Sequence, residues 1–117
     1  MDEQKKIVEK IARIILTASS NELSVMQTDT VLQKINFSRT YSSTLLKKYT
    51  KFSIFEFIEQ EKMYRIRLKI SENKNYTIEN ACLEFGICKQ DHVIEKFKKK
   101  YIVTPGSYKK MHHKGII

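Results

Sequence analysis

Four times in this chain a Ser or Thr stands directly before a run whose apolar residues recur every three or four positions: Ser38, Ser53, Thr77 and Thr104. Such a side chain accepts a hydrogen bond from a backbone N–H of the next turn that would otherwise go unpaired, so each marks the start of a helix. Ser53 is followed by Glu56 in the reciprocal pairing of a capping box. Thr104 is followed by Pro105, whose fixed φ suits the first helical position. With only three glycines and one proline, the chain has little material for a turn-rich β architecture. The expected fold is all-α.

In order, residues 4–18 place Ile7, Val8, Ile11, Ile14, Ile15 and Ala18 at helical spacing, a support helix that Ser19-Ser20-Asn21 ends. Leu23 and Val25 are expected to tuck under in a connecting loop. A short helix over about 29–35, capped by Thr28 or Asp29, turns Val31, Leu32 and Ile35 inward. After the turn at Asn36-Phe37-Ser38, a helix over about 39–50 turns Tyr41, Leu45, Leu46 and Tyr49 inward. Its outer face carries Arg39, Thr40, Ser43, Thr44, Lys47 and Lys48.

The capping box at Ser53 opens a long helix to about residue 70 or 71. Phe55, Ile58, Met63, Ile66 and Ile70 form one inward stripe, and Phe57, Tyr64 and Leu68 a second. A helix apolar on two sides must touch two things, so it reads as a connector between two lobes. After a polar loop, a helix from Thr77 turns Ile78, Ala81, Cys82 and Phe85 inward, and Gly86 makes a turn. The next helix, about 89–101, has Val93, Phe97 and Tyr101 on one face and Lys96, Lys98, Lys99 and Lys100 on the others. A last helix begins at Thr104-Pro105, and His112-His113 read as part of a polar tail. The expected divisions are a first subdomain over 1–52, a linker helix over 53–71, a second subdomain over 72–111 and a tail over 112–117.

The net charge of +9 is unevenly placed. Residues 37–70 carry eight basic and three acidic side chains, and residues 89–117 eight and two. The first 36 residues are balanced, with five of each. Each positive block therefore contains one of the longer basic helices. A charge block can be a merely solvated face or an electrostatic footprint for nucleic acid. No apolar run approaches the roughly 18 residues of a membrane span. Cys82 and Cys88 are expected as reduced thiols in or near the core, consistent with a cytosol. No metal or cofactor is expected, because no Cys pair has zinc-finger spacing. No enzyme is expected either: the histidines lack a paired acid and nucleophile, and no Gly-rich phosphate loop is present.

The halves share one order of elements: short helix, turn, longer basic helix, further helix. Two helices joined by a turn form the helix-turn-helix motif, whose second helix enters the major groove. Two such units joined by a rigid helix can address major-groove segments about one turn, or roughly 34 Å, apart.

The sequence resembles the DNA-binding domain of the AraC/XylS family of bacterial transcription regulators, over about residues 23–110. Val103-Thr104-Pro105-Gly106-Ser107-Tyr108-Lys109 is similar to the family's VTP-x-x-Y-R signature, with Phe97-Lys98-Lys99 ahead of it. Thr77-Ile78-Glu79-Asn80-Ala81-Cys82 followed by Gly86-Ile87 looks like its SI-x-x-IA … GF. In the first half, Asn36-Phe37-Ser38, Leu45-Leu46-Lys47-Lys48, Ser53 and Glu56-Phe57-Ile58 align to NLS … LFKK … S-x-x-EYL. The resemblance implies seven helices and two helix-turn-helix lobes. It also implies base-facing positions at Thr40, Ser43 and Thr44 in the first reading helix and at Gln90, Asp91, Ile94 and Glu95 in the second. Arg39, Lys47, Lys48, Lys89, Lys98, Lys99 and Lys109 become the phosphate contacts.

The departures are specific. Ser42 stands where the family buries Leu, and Leu32 where it prefers Ala. Lys51 and Ile102 replace the glycines that end the two reading helices, so other turn conformations are expected there. Asp91 and Glu95 stand where neutral or basic groups are common: they either accept from cytosine N4 or mark a helix that touches DNA poorly. His92 reaches a phosphate or packs partly buried on its neighbour. The implied function is a sequence-specific double-stranded DNA-binding regulator in the bacterial cytoplasm, more in keeping with an activator that contacts RNA polymerase. The other reading is a helical interaction module that antagonises another regulator. The chain is expected to be a stand-alone domain of the MarA/SoxS type or the C-terminal domain of a longer regulator.

Overall fold

A computed structural model describes residues 3–116, and its described residues form eight α-helices and no strand. They are α1 (Glu3–Leu16), α2 (Ser20–Val25), α3 (Thr28–Leu32), α4 (Arg39–Thr50), α5 (Ile54–Glu72), α6 (Ile78–Phe85), α7 (Gln90–Tyr101) and α8 (Pro105–His113). The chain divides into two units, Met1–Glu61 and Lys62–Ile117, and the boundary falls inside α5.

In the first unit α1 packs on α3 and α4. Ile11 and Ile15 on α1, Val31 on α3, Leu46 on α4 and Ile54 on α5 are sealed from solvent. Ser38 caps α4, its Oγ accepting from the Tyr41 N–H at 3.2 Å. The capping box at the head of α5 closes both ways: Ser53 N–H donates to Glu56 Oε1 at 2.9 Å and Glu56 N–H to Ser53 Oγ at 3.2 Å. The helix not foreseen is α2. Ser19 and Glu22 form their own capping box, at 2.8 and 3.1 Å, within a stretch whose polarity reads as a connection. Leu23 is buried there as expected, whereas Val25 points to solvent.

The phase of two stripes also differs from expectation. On α4, Tyr41 and Tyr49 lie at the surface and Ser42 is fully buried beside Leu45 and Leu46. On α5, Ile54 rather than Phe55 is the buried residue of the first turn. Spacing fixes the period of a stripe, but the neighbouring helix decides which residue of it is covered.

The second unit packs α6 on α7 and α7 on α8, around Phe85, Val93 and Phe97. Thr77 caps α6 with Asn80 as reciprocal partner, both bonds 3.0 Å. Gly86 ends it in the left-handed region (φ 65°, ψ 38°), and the Ile87 N–H bonds the Cys82 carbonyl at 3.0 Å. Thr104 caps α8 through the Ser107 N–H at 3.2 Å, with Pro105 in the first turn. Tyr108 then locks α8 to α5: its hydroxyl lies 3.3 Å from Arg67 Nη1 and 2.9 Å from Ser71 Oγ. The stretch expected as a tail takes part in this. α8 continues through His113, whose Nε2 lies 2.9 Å from the Ile70 carbonyl, and His112 stacks on Tyr108 with ring centroids 5.8 Å apart. Position 117 lies outside the described residues.

The turns after α4 and α7 both pass through positive φ without glycine, but only Lys51 takes the left-handed helical conformation. Lys51 has φ 71° and Ile102 φ 76°, each donating its N–H four residues back, to Lys47 and Lys98. The expectation of another conformation fails at Lys51, which closes the last turn of α4 as a glycine would, and holds at Ile102, whose ψ of −34° lies outside the left-handed helical region.

Candidate nucleic-acid interface

α4 and α7 are both 12 residues long, and each ends on a non-glycine residue at positive φ. Each is preceded in its unit by a short helix and a turn. On α4, burial of Ser42, Leu45 and Leu46 turns the opposite face outward, and it carries Thr40, Thr44, Lys47 and Lys48, all exposed, with Ser43 half-buried at its edge. α4 contains no acidic residue. On α7, burial of Val93 and Phe97 turns outward Gln90, Asp91, Glu95, Lys98 and Lys99, with Ile94 half-buried. His92 is exposed, against the packing alternative.

Arg39 is exposed at the start of α4, but its guanidinium pairs with the Asp29 carboxylate on α3. Both partners are largely open to water, so the pair steers the side chain more than it stabilises the fold. Lys48 Nζ lies 3.4 Å from Gln4 Oε1 and sits over the Tyr49 ring. Neither partner is visible from the local pattern. Asp29 and Arg39 are ten residues apart and meet only because a turn folds α3 against the head of α4.

Lys89 is exposed just ahead of α7, and Lys109 is half-buried on α8. Lys109 and Gln90 border a surface cavity of about 330 Å³ in the second unit, together with Thr77 and Ile78 at the head of α6 and Pro105 and Gly106 at the head of α8. Helix N-termini present unpaired N–H groups and the positive end of the macrodipole, a setting suited to phosphate oxygens. Glu79 also borders this cavity and opposes an anion there.

The two cysteines, expected in or near the core, are free thiols, Cys82 half-buried and Cys88 exposed. Burial, reinforced by the neighbouring Cys88, pushes the Cys82 thiol above its ordinary value. Among the described residues no group of three or more His, Cys, Asp or Glu side chains is placed to hold a metal ion. No described helix is long and apolar enough to cross a membrane.

No family model, curated protein or solved structure matches the chain. The AraC/XylS resemblance therefore rests on the motif residues that carry it.

Proposed function

We propose that the chain is a sequence-specific double-stranded DNA-binding transcription regulator of the AraC/XylS kind, acting in the bacterial cytoplasm as an activator that contacts RNA polymerase. The observation that carries the DNA reading is the outer face of α4: hydroxyls at Thr40, Ser43 and Thr44, then Lys47 and Lys48, with no acid on the helix. Hydroxyls at the N-terminal part of a groove helix donate to or accept from base edges. Lysines near its end reach the phosphates on either side. Lys98 and Lys99 repeat the cationic end on α7. The activator role and the polymerase contact come from the resemblance alone.

Titration of labelled duplex at two salt concentrations tests this. A regulator shows log K falling steeply with log salt, by about 0.9 per phosphate neutralised, and prefers one sequence selected from a random pool. Affinity weaker than roughly 10⁻⁶ M for every sequence, the range of non-specific binding, rejects it. The exposed carboxylates Asp91 and Glu95 favour a second reading, a helical module that binds and antagonises another regulator. That reading predicts no sequence preference in the same selection.

A further inference from the structure

The outer rows of the two reading helices occupy the same helical positions. Counting from the first residue of each helix, positions two, six, nine and ten are Thr40, Thr44, Lys47 and Lys48 on α4. On α7 they are Asp91, Glu95, Lys98 and Lys99. All eight are exposed. The lysine pair is thus the shared part of the row, and the N-terminal pair is where the helices differ: two neutral hydroxyls against two carboxylates. In a helix-turn-helix unit the N-terminal residues of the second helix are the ones that reach base edges. A carboxylate carried there enters a groove walled by phosphates and loses water as it does so. Asp91 also has a role within the fold, because an acid in the first turn of α7 complements the helix dipole.

We propose that the two units divide the work on one DNA site, α4 reading bases through Thr40, Ser43 and Thr44 while α7 holds the backbone through Lys98 and Lys99 and reads none. Asp91 and Glu95 keep the N-terminal half of α7 off the base edges. The second unit then supplies affinity and salt dependence, and the first supplies sequence preference. This rests on the DNA-binding reading above and goes beyond the resemblance, which gives both helices a reading role.

Selection of bound duplexes from a random pool, run on the wild type and on two double variants, tests it. The wild type is expected to select one contiguous block of preferred base pairs. Asp91→Asn with Glu95→Gln, near-isosteric changes at exposed positions, is expected to leave that block unchanged and raise affinity for every duplex alike, on the order of threefold to tenfold. Thr40→Ala with Thr44→Ala is expected to blur the block. Two separate blocks in the wild type, or a preferred base that changes with the Asn/Gln variant, overturn the division: Glu95 or Asp91 would then be reading, as a carboxylate does at cytosine N4. Failure to bind any duplex tighter than roughly 10⁻⁶ M rejects the DNA reading itself, and the division with it.

Discussion

Ile102 is the residue whose backbone and side chain disagree most. A β-branched side chain at φ 76° clashes with the adjacent carbonyl, and Ile102 is also largely exposed, so no burial offsets the clash. Ile102→Gly is expected to stabilise the protein by about 1 kcal/mol, since relief of the strain exceeds the extra freedom glycine gives the unfolded chain. Chemical denaturation of the two proteins in parallel checks this. Ser42 presents the converse problem. Its Oγ is sealed in the first unit without a hydrogen-bond partner, at a position where a Leu would be at home. Ser42→Ala removes the orphaned hydroxyl and improves helix propensity, so a gain of about 1 kcal/mol is expected in the same measurement. A gain absent at 42 would mean that the hydroxyl finds a partner in solution. Spacing places Ser42 on the face of Leu45 and Leu46, ahead of Tyr41, but its polarity argues against burial, so only the resemblance marks the position as a buried one.

At the scale of elements, what the sequence revealed was what is local. The caps at Ser38, Ser53, Thr77 and Thr104 each form the expected bond, because a cap is decided within four residues. Ser19 and Glu22 obey the same rule, and the start of α2 is as local as the others although Ser19-Ser20-Asn21 reads as the end of α1. What stayed illegible needed a neighbour, such as the phase of the α5 stripe, the Arg39–Asp29 pair and the clamp of Tyr108 on Arg67 and Ser71. The Ser19 box also makes α2 sensitive to acid. Its backbone N–H and hydroxyl bonds hold the Glu22 carboxyl below the usual carboxylate range. A depressed folded value means that this contribution is complete above about pH 4.5, the ordinary value, and fades as pH falls through the folded one. Glu22→Gln, which keeps a cap acceptor but cannot titrate, should flatten the part of the stability–pH curve below 4.5 that differs from wild type. Unfolding midpoints measured across that window decide the matter.

For the whole molecule, charge placement says more than total charge. Each unit carries its own exposed lysine pair near the end of a 12-residue helix, α4 or α7, and the +9 net charge arises from the two blocks that contain them. Lys98→Ala with Lys99→Ala is expected to weaken binding to all duplexes about equally and to reduce the slope of log K against log salt by up to about 1.8. A loss confined to the preferred duplex would instead assign those lysines to base recognition. Of the candidate site, exposure was legible residue by residue, since ten of the fourteen proposed contacts are polar groups on the far side of a buried stripe of α4 or α7. Their partners were not.

Cys88 gives the molecule a chemical handle. It stands exposed two residues before α7, while the other thiol, Cys82, is half-buried and held in its protonated form by burial. Because the thiolate is the attacking species, a maleimide dye added at neutral pH attaches at 88 well before 82. The label then sits in the turn between α6 and α7, and under the proposed DNA-binding function its emission would report whether the head of α7 comes close to a duplex.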